Sequence, residues 1–405
     1  MKKIFKSIGK YCLSFLTWLL IGILMGIICG FVGVAFHVFI FWGSGLRITH
    51  AWILYLLPAA GLLIAVIYKL AKDELTTDQV IGSINSSGPV SPLMAPLIFV
   101  SAVISHTVGA SVGREGAAIQ LGGSLGYNAG KLLKFKTRDR KILTKCGISA
   151  VFSALFQAPL GAAIFAMEVS SVGTFYYSDL IPCLASAITA NTLARLLGAA
   201  KEIPALSVVP EISFKSIGLV LLLAILVGGL TILFCLGLKK GEKLFEKLLP
   251  NSLIRGAAGG AAILLATLVL GNQNFNGSGI GLIRMAMEGN TQWWFFLVKM
   301  AFTIVSVGCC FKGGEIVPSL SIGAMFGCFF SQISGMDPAF GAAVGMVAML
   351  CGMVNCPVAS IFLGLELFGF EGAVYFAAAS AVSYLFSGNF GLYGKQKIIY
   401  SRIRR

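Results

Sequence analysis

The stretch Gly113-Arg114-Glu115-Gly116-Ala117, continued by the small-residue run Ala118-Ile119-Gln120-Leu121-Gly122-Gly123-Ser124, decides how this chain is read. It lies between two apolar segments. Ionised side chains are expensive in hydrocarbon, roughly 2.5–3.5 kcal/mol on insertion scales, so Glu115 is a functional-site candidate by default. The flanking glycines admit close backbone approach. A helix starting here would aim free N–H groups and its positive dipole end at one point, a ready site for an anion. Glu115 brings an anion of its own and would fill or vacate that point with its protonation state. The plainer alternative is an Arg114–Glu115 pair capping a helix at a membrane surface. A second copy of the motif separates the two readings.

The surrounding chain is that of a membrane protein. Of 405 residues, 57% are hydrophobic and only 12% charged, with a mean hydropathy of +0.89. Soluble globular domains carry about 25% charged residues, so no soluble domain is expected at either end. Basic Met1–Lys10 leads into an apolar run from Tyr11 to Trp42, too long for a signal-peptide core, which predicts a retained, long, tilted first helix. The net charge of +15 gathers in Met1–Lys10, Lys131–Lys145, Lys239–Lys247 and Lys395–Arg405. That is the distribution the positive-inside rule expects of cytoplasmic loops. The charge therefore reports topology: a multi-pass protein of the cell membrane with both termini cytoplasmic and no nucleic-acid partner. The ten cysteines lie mostly in apolar runs without a C-x-x-C pair or a histidine at metal spacing, and read as small buried hydrophobes. Neither a metal nor a cofactor is expected. Of the three histidines, His106 lies near Glu115 in sequence.

After a second apolar span, Ala51–Leu70, Lys69 and Lys72 return the chain to the cytoplasm, and the polar stretch Asp73-Glu74-Leu75-Thr76-Thr77-Asp78 follows. Later apolar segments run through Pro92–Ala110, Gly147–Met167, Leu180–Leu197, Ile217–Leu238, Leu253–Leu270, Phe295–Cys310, Leu320–Ile333, Phe340–Leu367 and Ala373–Phe386. Many fall short of the ~20 residues a spanning helix needs, and glycine and proline interrupt them. Such segments predict discontinuous helices meeting around a cavity.

The second copy comes 200 positions later, where Gly313-Gly314-Glu315 answers Gly113-Arg114-Glu115. In a further block, Pro159 and Pro357 are 198 positions apart, and each is followed nine positions on by a glutamate, Glu168 or Glu366. Two blocks in register define an internal repeat. The segment after Glu115 ends in Lys131, Lys134, Lys136, Arg138, Arg140 and Lys141, whereas no lysine or arginine occurs from Gly313 to Gly394. Matching loops thus lie on opposite membrane faces. We read the chain as an all-α polytopic membrane protein with an inverted-topology repeat and broken, re-entrant helices. Its halves are 1–205 and 206–405, in one transmembrane domain. Inverted repeats place a transport site at the interface of the halves, built from half-helix N-termini, so Glu115 and Glu315 are expected to converge. Glu168 and Glu366, equivalent by the repeat, are expected at polar helix ends outside the ion path.

These residues resemble the CLC family of chloride channels and proton-coupled anion exchangers. Gly113-Arg114-Glu115-Gly116-Ala117 is similar to the family's G-R-E-G-P motif, whose glutamate is the gate. Phe156-Gln157-Ala158-Pro159-Leu160 is similar to the segment commonly written N-A-P-L. Gly314-Glu315-Ile316-Val317-Pro318 stands where G-x-F-x-P is expected, and Tyr393 matches the late tyrosine closing the inner side of the anion site. The resemblance covers essentially the whole chain and implies a homodimer with a separate pore per subunit. No C-terminal nucleotide-sensing regulatory domain is expected beyond the membrane domain. Three departures resemble the bacterial fluoride-exporting branch: Thr76-Thr77-Asp78-Gln79 replaces the G-S-G-I-P serine motif, Val169 stands where most exchangers carry a proton-handling glutamate, and Glu315 is gained. Thr76 lies where that branch usually has Met or Asn, and Val317 where Thr is expected. Ser278, in Asn276-Gly277-Ser278-Gly279-Ile280, spells a fragment of the missing serine motif in the wrong half and reads as a turn.

The resemblance implies fluoride/proton antiport. Fluoride is strongly hydrated, so donors must replace its water: backbone N–H groups around Gly116-Ala117 and Ile316-Val317, the Thr76 or Thr77 hydroxyls, and the Tyr393 phenol. Like charge and desolvation favour a neutral carboxylic acid beside an anion, so proton uptake on Glu115, and again on Glu315, would accompany anion entry. Coupling follows if neither carboxylate leaves the site without exchanging its proton. Three other readings stay open: a chloride channel or chloride/proton exchanger of the same family, a membrane-embedded hydrolase built on His106 with Glu115, and a purely structural or receptor-like membrane protein. The second lacks a nucleophile–base pair.

Overall fold

The computed structural model describes residues 2–71, 75–86, 88–199 and 201–399. Met1, Lys72, the Asp73-Glu74 pair of the polar stretch and the basic tail from 400 onward lie outside the described residues. Among the described residues the chain forms sixteen α-helices and one two-residue parallel strand pair, β1 (Ser171–Val172) with β2 (Lys397–Ile398). The protein is an all-α, multi-pass membrane fold.

The first eight helices are α1 (Lys2–Thr49), α2 (Leu57–Ala71), α3 (Thr77–Ser86), α4 (Met94–Val108), α5 (Glu115–Leu132), α6 (Thr137–Phe156), α7 (Pro159–Glu168) and α8 (Leu180–Leu196). The next eight repeat that order of long and short: α9 (Phe214–Leu248), α10 (Ser252–Leu270), α11 (Ile280–Met287), α12 (Phe295–Gly308), α13 (Ile316–Ser334), α14 (Pro338–Val354), α15 (Pro357–Phe368) and α16 (Ala373–Phe386). At 48 residues, α1 is about 72 Å long. That is more than twice the ~30 Å hydrocarbon thickness, so the first helix must lie obliquely or run well past the bilayer. Among the described residues, five helical stretches are long and apolar enough to cross a membrane alone: Ser7–Thr49, Ala51–Ala71, Phe214–Leu248, Ser252–Leu270 and Ile316–Ser334. Leu20, Leu24 and Phe31 on α1 and Leu222, Leu226 and Leu233 on α9 are exposed, as lipid-facing positions must be.

Two apolar runs that read as continuous are each broken. Gly147–Met167 is split between α6 and α7, and Phe340–Leu367 between α14 and α15. Hydropathy passes through both breaks; backbone chemistry does not. Gln157 and Asn355 close their helices in the left-handed region, at φ 54° and 56°. The next residues, Ala158 and Cys356, leave the helical region, at φ −129° and −121°, because a following proline disfavours the helical conformation. Pro159 and Pro357 then open new helices at a position where the missing N–H costs nothing. The turn expected at Ser278 is present, immediately before α11.

Small residues let helix backbones touch where lipid supplies no hydrophobic drive. A Cβ placed on Gly22 or Gly26 of α1 would lie 2.6 Å from the carbonyl oxygen of Pro182 or Ser186 on α8. Equivalent contacts recur inside each half of the repeat: Gly122 of α5 faces Gly147 of α6, and Gly323 and Gly327 of α13 face Gly345 and Gly341 of α14.

The repeat's matched glutamates cap each other's helices. Glu168, at the end of α7, accepts from the N–H groups of Val358 (3.3 Å) and Ala359 (2.8 Å) at the start of α15. Glu366, near the end of α15, accepts from Leu160 (3.0 Å) and Gly161 (2.8 Å) at the start of α7. The two short helices therefore run antiparallel, each carboxylate meeting the other's positive end. Glu168→Ala or Glu366→Ala leaves two buried or half-buried N–H groups unpaired, a cost of up to about 1–3 kcal/mol per group. Thermal unfolding in detergent should show a lowered melting temperature for each, with the Gln variants milder; melting at the wild-type temperature would contradict the capping role.

Candidate functional site

The site is built where α5 and α13 begin. Gly113 and Gly314, the residues just before the two glutamate motifs, exchange both backbone hydrogen bonds in an isolated antiparallel bridge. This contact joins the two repeats, and it requires glycine. A Cβ on Gly116 would stand 2.7 Å from the Gly314 Cα, and one on Gly314 would fall on the Gly116 nitrogen. The Glu315 carboxylate reaches to within 3.3 Å of the place a Gly116 Cβ would occupy. Glu115 and Glu315, 200 positions apart in the chain, are thus brought to one crossing.

Neither helix has a side-chain cap. The first intrahelical bonds run from Ala118 to Arg114 and from Ser319 to Glu315. The amides of Gly116 and Ala117, and of Ile316 and Val317, precede those bonds and have no acceptor among the described residues. All four residues are buried. Their N–H groups and two helix dipoles of the same sign converge, which is a field for an anion.

Tyr393 is the third contributor. It is buried, its hydroxyl has no hydrogen-bond partner among the described residues, and it lies within electrostatic reach of Glu115, Glu315 and Asp78. Its segment is tied down on both sides: Leu392 N–H donates to the Met353 carbonyl, and Gly394 and Lys395 N–H donate to the Asp78 carboxylate at 3.1 and 3.2 Å. The threonines are placed less directly. Thr77 opens α3, and its hydroxyl accepts from Gln120 Nε2 at 3.0 Å, which leaves its proton free to donate. Thr76 is exposed on a cavity of about 350 Å³ shared with Asp78, Gln79 and Lys395.

The two glutamates differ in surroundings. Glu315 is partly exposed. Glu115 is fully buried; one carboxylate oxygen accepts from the Arg114 amide (3.1 Å) and the other from Arg114 Nε (3.2 Å). The Arg114–Glu115 pair foreseen as the plainer reading is therefore present, but in the interior at the helix crossing. A void of about 10 Å³, room for about one water, touches Glu115 between Ile203, Ile280 and Val317. Beyond it opens a vestibule of about 380 Å³ lined by Arg47, His106, Arg114, Glu202 and Arg284. Among the described residues no hydrogen bond joins His106 to Glu115, and the buried His106 Nε2 has no partner.

Sequence reasoning missed Glu202 and His37, both of which contact Arg114. Glu202 sits in the linker between α8 and α9, and His37 on α1. The signal available in the sequence was thin: Lys201-Glu202 is a charged pair in a mostly apolar linker.

The voltage gated chloride channel family matches residues 60–388. The chain is 32% identical over 397 residues to a chloride/fluoride channel protein of Pseudomonas syringae pv. tomato, covering 96% of this chain and 88% of that protein. The fold superposes on the crystal structure of a CLC-type fluoride/proton antiporter with a TM-score of 0.90, at 26% identity and over 95% and 98% of the two chains. It superposes on a slow cyanobacterial Cl−/H+ antiporter with a TM-score of 0.80, at 22% identity and over 91% and 94%, a likeness of fold.

The glycine requirement at the bridge is open to test. Gly314→Ala forces a methyl group into the α5 backbone and should destabilise by about 1–3 kcal/mol, as overpacking does. Gly45→Ala, where nothing lies within 4 Å, is the control. Equal melting temperatures for the two variants would contradict the close approach.

Proposed function

This chain belongs to the CLC family of voltage gated chloride channels, and from that premise we propose that it is a fluoride/proton antiporter exporting fluoride across the cell membrane. Membership makes it an anion-transporting membrane protein. The observation that carries the finer reading is the meeting of Glu115 and Glu315, one from each half, beside uncommitted amides and the unpartnered Tyr393 hydroxyl. The likeness to a CLC-type fluoride/proton antiporter supports it.

Ionised Glu115 takes the place of an anion at the start of α5. Protonation removes its charge and its pairing with Arg114, and the neutral acid swings away or donates a hydrogen bond. Fluoride then exchanges its water for the amides of Gly116, Ala117, Ile316 and Val317, with the Tyr393 hydroxyl and the Thr76 or Thr77 hydroxyl completing the shell. Glu315, partly exposed, passes protons on the other side of the crossing. Each fluoride leaving is matched by a proton entering, because a carboxylate gives up the site only when it is neutral. Residues 1–205 and 206–405 act as the two halves of one transport unit, with both termini cytoplasmic. A chloride-carrying exchanger of the same construction is the second reading, favoured by Val317, which adds no hydroxyl to the donor shell.

Two subunits form a dimer through apolar surface such as Ile181 and Ile188 on α8 and Val374 on α16, all exposed in the protomer. Light scattering in detergent should give twice the 42.8 kDa protomer mass after detergent correction; a monomer would refute this.

Proteoliposomes read with fluoride and pH electrodes decide the mechanism. Glu115→Gln should keep fluoride flux while abolishing coupled proton flux. Glu315→Gln should lower coupled throughput on the order of tenfold or more, the loss expected of a general acid–base group. Wild-type coupling in both variants, or chloride flux exceeding fluoride flux in the wild type, would overturn the assignment.

A further inference from the structure

The guanidinium of Arg114 is divided unequally between two carboxylates. Nη1 and Nη2 donate to Oε1 and Oε2 of Glu202 at 2.9 and 3.0 Å, a two-pronged pair, whereas only Nε reaches Glu115, at 3.2 Å. Nη1 also meets His37 Nδ1 at 2.7 Å, and Nη2 the Leu155 carbonyl at 3.3 Å. An arginine only donates, so His37 Nδ1 accepts and the ring carries its proton on Nε2. Arg114 is 5% exposed and Glu115 is 0% exposed. The Glu202 side chain is 19% exposed at the vestibule, and its own carbonyl accepts from Arg284 Nε at 3.1 Å, which fixes the linker that carries it.

We propose that Glu202 is a positioning residue for the gate: it holds the Arg114 guanidinium, and thereby sets how tightly Glu115 is held and how much acid is needed to release it. The proposal rests on the reading of Glu115 as the proton-carrying gate. Parallel two-pronged pairs are the stronger kind of arginine contact, so Glu202 is the principal partner and Glu115 the secondary one. Glu115 can then leave without exposing a bare buried cation, because Arg114 keeps a carboxylate in both positions of the gate. Without Glu202, the sole carboxylate on Arg114 would be Glu115, and breaking a buried pair of that kind is strongly unfavourable. Loss of Glu202 also removes a like charge near Glu115. Both effects favour ionised, closed Glu115. The other titratable or charged groups facing this place are His37 and Arg47 from α1, His106 from α4, Lys201 from the α8–α9 linker, Arg284 from α11, Glu315 before α13 and Tyr393 from the C-terminal segment.

The test is fluoride flux against pH in proteoliposomes, in four proteins: Glu202→Gln, Glu202→Asp, Glu115→Gln, and the double variant Glu202→Gln/Glu115→Gln. In Glu202→Gln the pH of half-maximal flux should move acid by about one unit, the effect of changing one near charge, with flux at neutral pH falling about tenfold. Glu202→Asp keeps the charge with a shorter reach and should give a smaller acid shift; it carries the test should the Gln variant not reach the membrane. The double variant should match Glu115→Gln alone, since no carboxylate remains to be held. A Glu202 that merely braces the fold would instead lower flux in both backgrounds and leave the half-maximal pH in place. An unshifted profile in the Glu202 variants, with Glu115→Gln abolishing pH dependence as expected, overturns this proposal alone. A pH dependence that survives in Glu115→Gln overturns the gate reading beneath it.

Discussion

Two helix N-termini facing each other inside a membrane protein are an unpaid electrostatic debt, and this structure is arranged around that debt. The reciprocal hydrogen bonds between Gly113 and Gly314 bring the starts of α5 and α13 together. They leave the amides of Gly116, Ala117, Ile316 and Val317 without acceptors among the described residues. In water such amides would be hydrated. In a buried place an unmatched polar group costs on the order of a few kcal/mol, and an anion is the natural remedy. Glu115 sits at the crossing with its charge balanced by Arg114. On our account a halide takes over when the carboxyl is neutral.

The contrast between two pairs of glutamates shows how context assigns a role to one residue type. Glu168 and Glu366 each receive two backbone N–H groups from the partner helix, so their charge is fully employed in fastening α7 to α15. Glu115 is held by its own neighbour, and Glu315 is only partly buried. A carboxylate shared between two helices is a structural clamp. One held only by its chain neighbour, beside vacant donors, is free to exchange.

Much of this was legible in the sequence. Charge depletion announced the membrane, and the glutamate and proline spacings of 198 to 200 positions announced the repeat and the meeting of residues 115 and 315. Hydropathy failed at the breaks after Phe156 and Val354, because Ala158 and Cys356 are as apolar as a helix interior. Only the prolines that follow betray a restart. Glu202 was illegible for another reason. Its importance comes from a linker folding back to a motif 88 positions away, through a contact with no local pattern. Thr76 and Thr77 were named for their place in the chain. The structure gives Thr77 a bond to Gln120 and leaves Thr76 exposed, which local sequence does not specify.

The central claim is that release of the anion site is tied to protonation of carboxylates at the α5–α13 crossing. The most direct measurement imposes a pH difference across sealed liposomes with equal fluoride on both sides and membrane voltage clamped at zero. The account predicts net fluoride movement toward the acidic side, driven only by protons flowing the other way. Fluoride that stays at equilibrium under that gradient while crossing the membrane freely would contradict it.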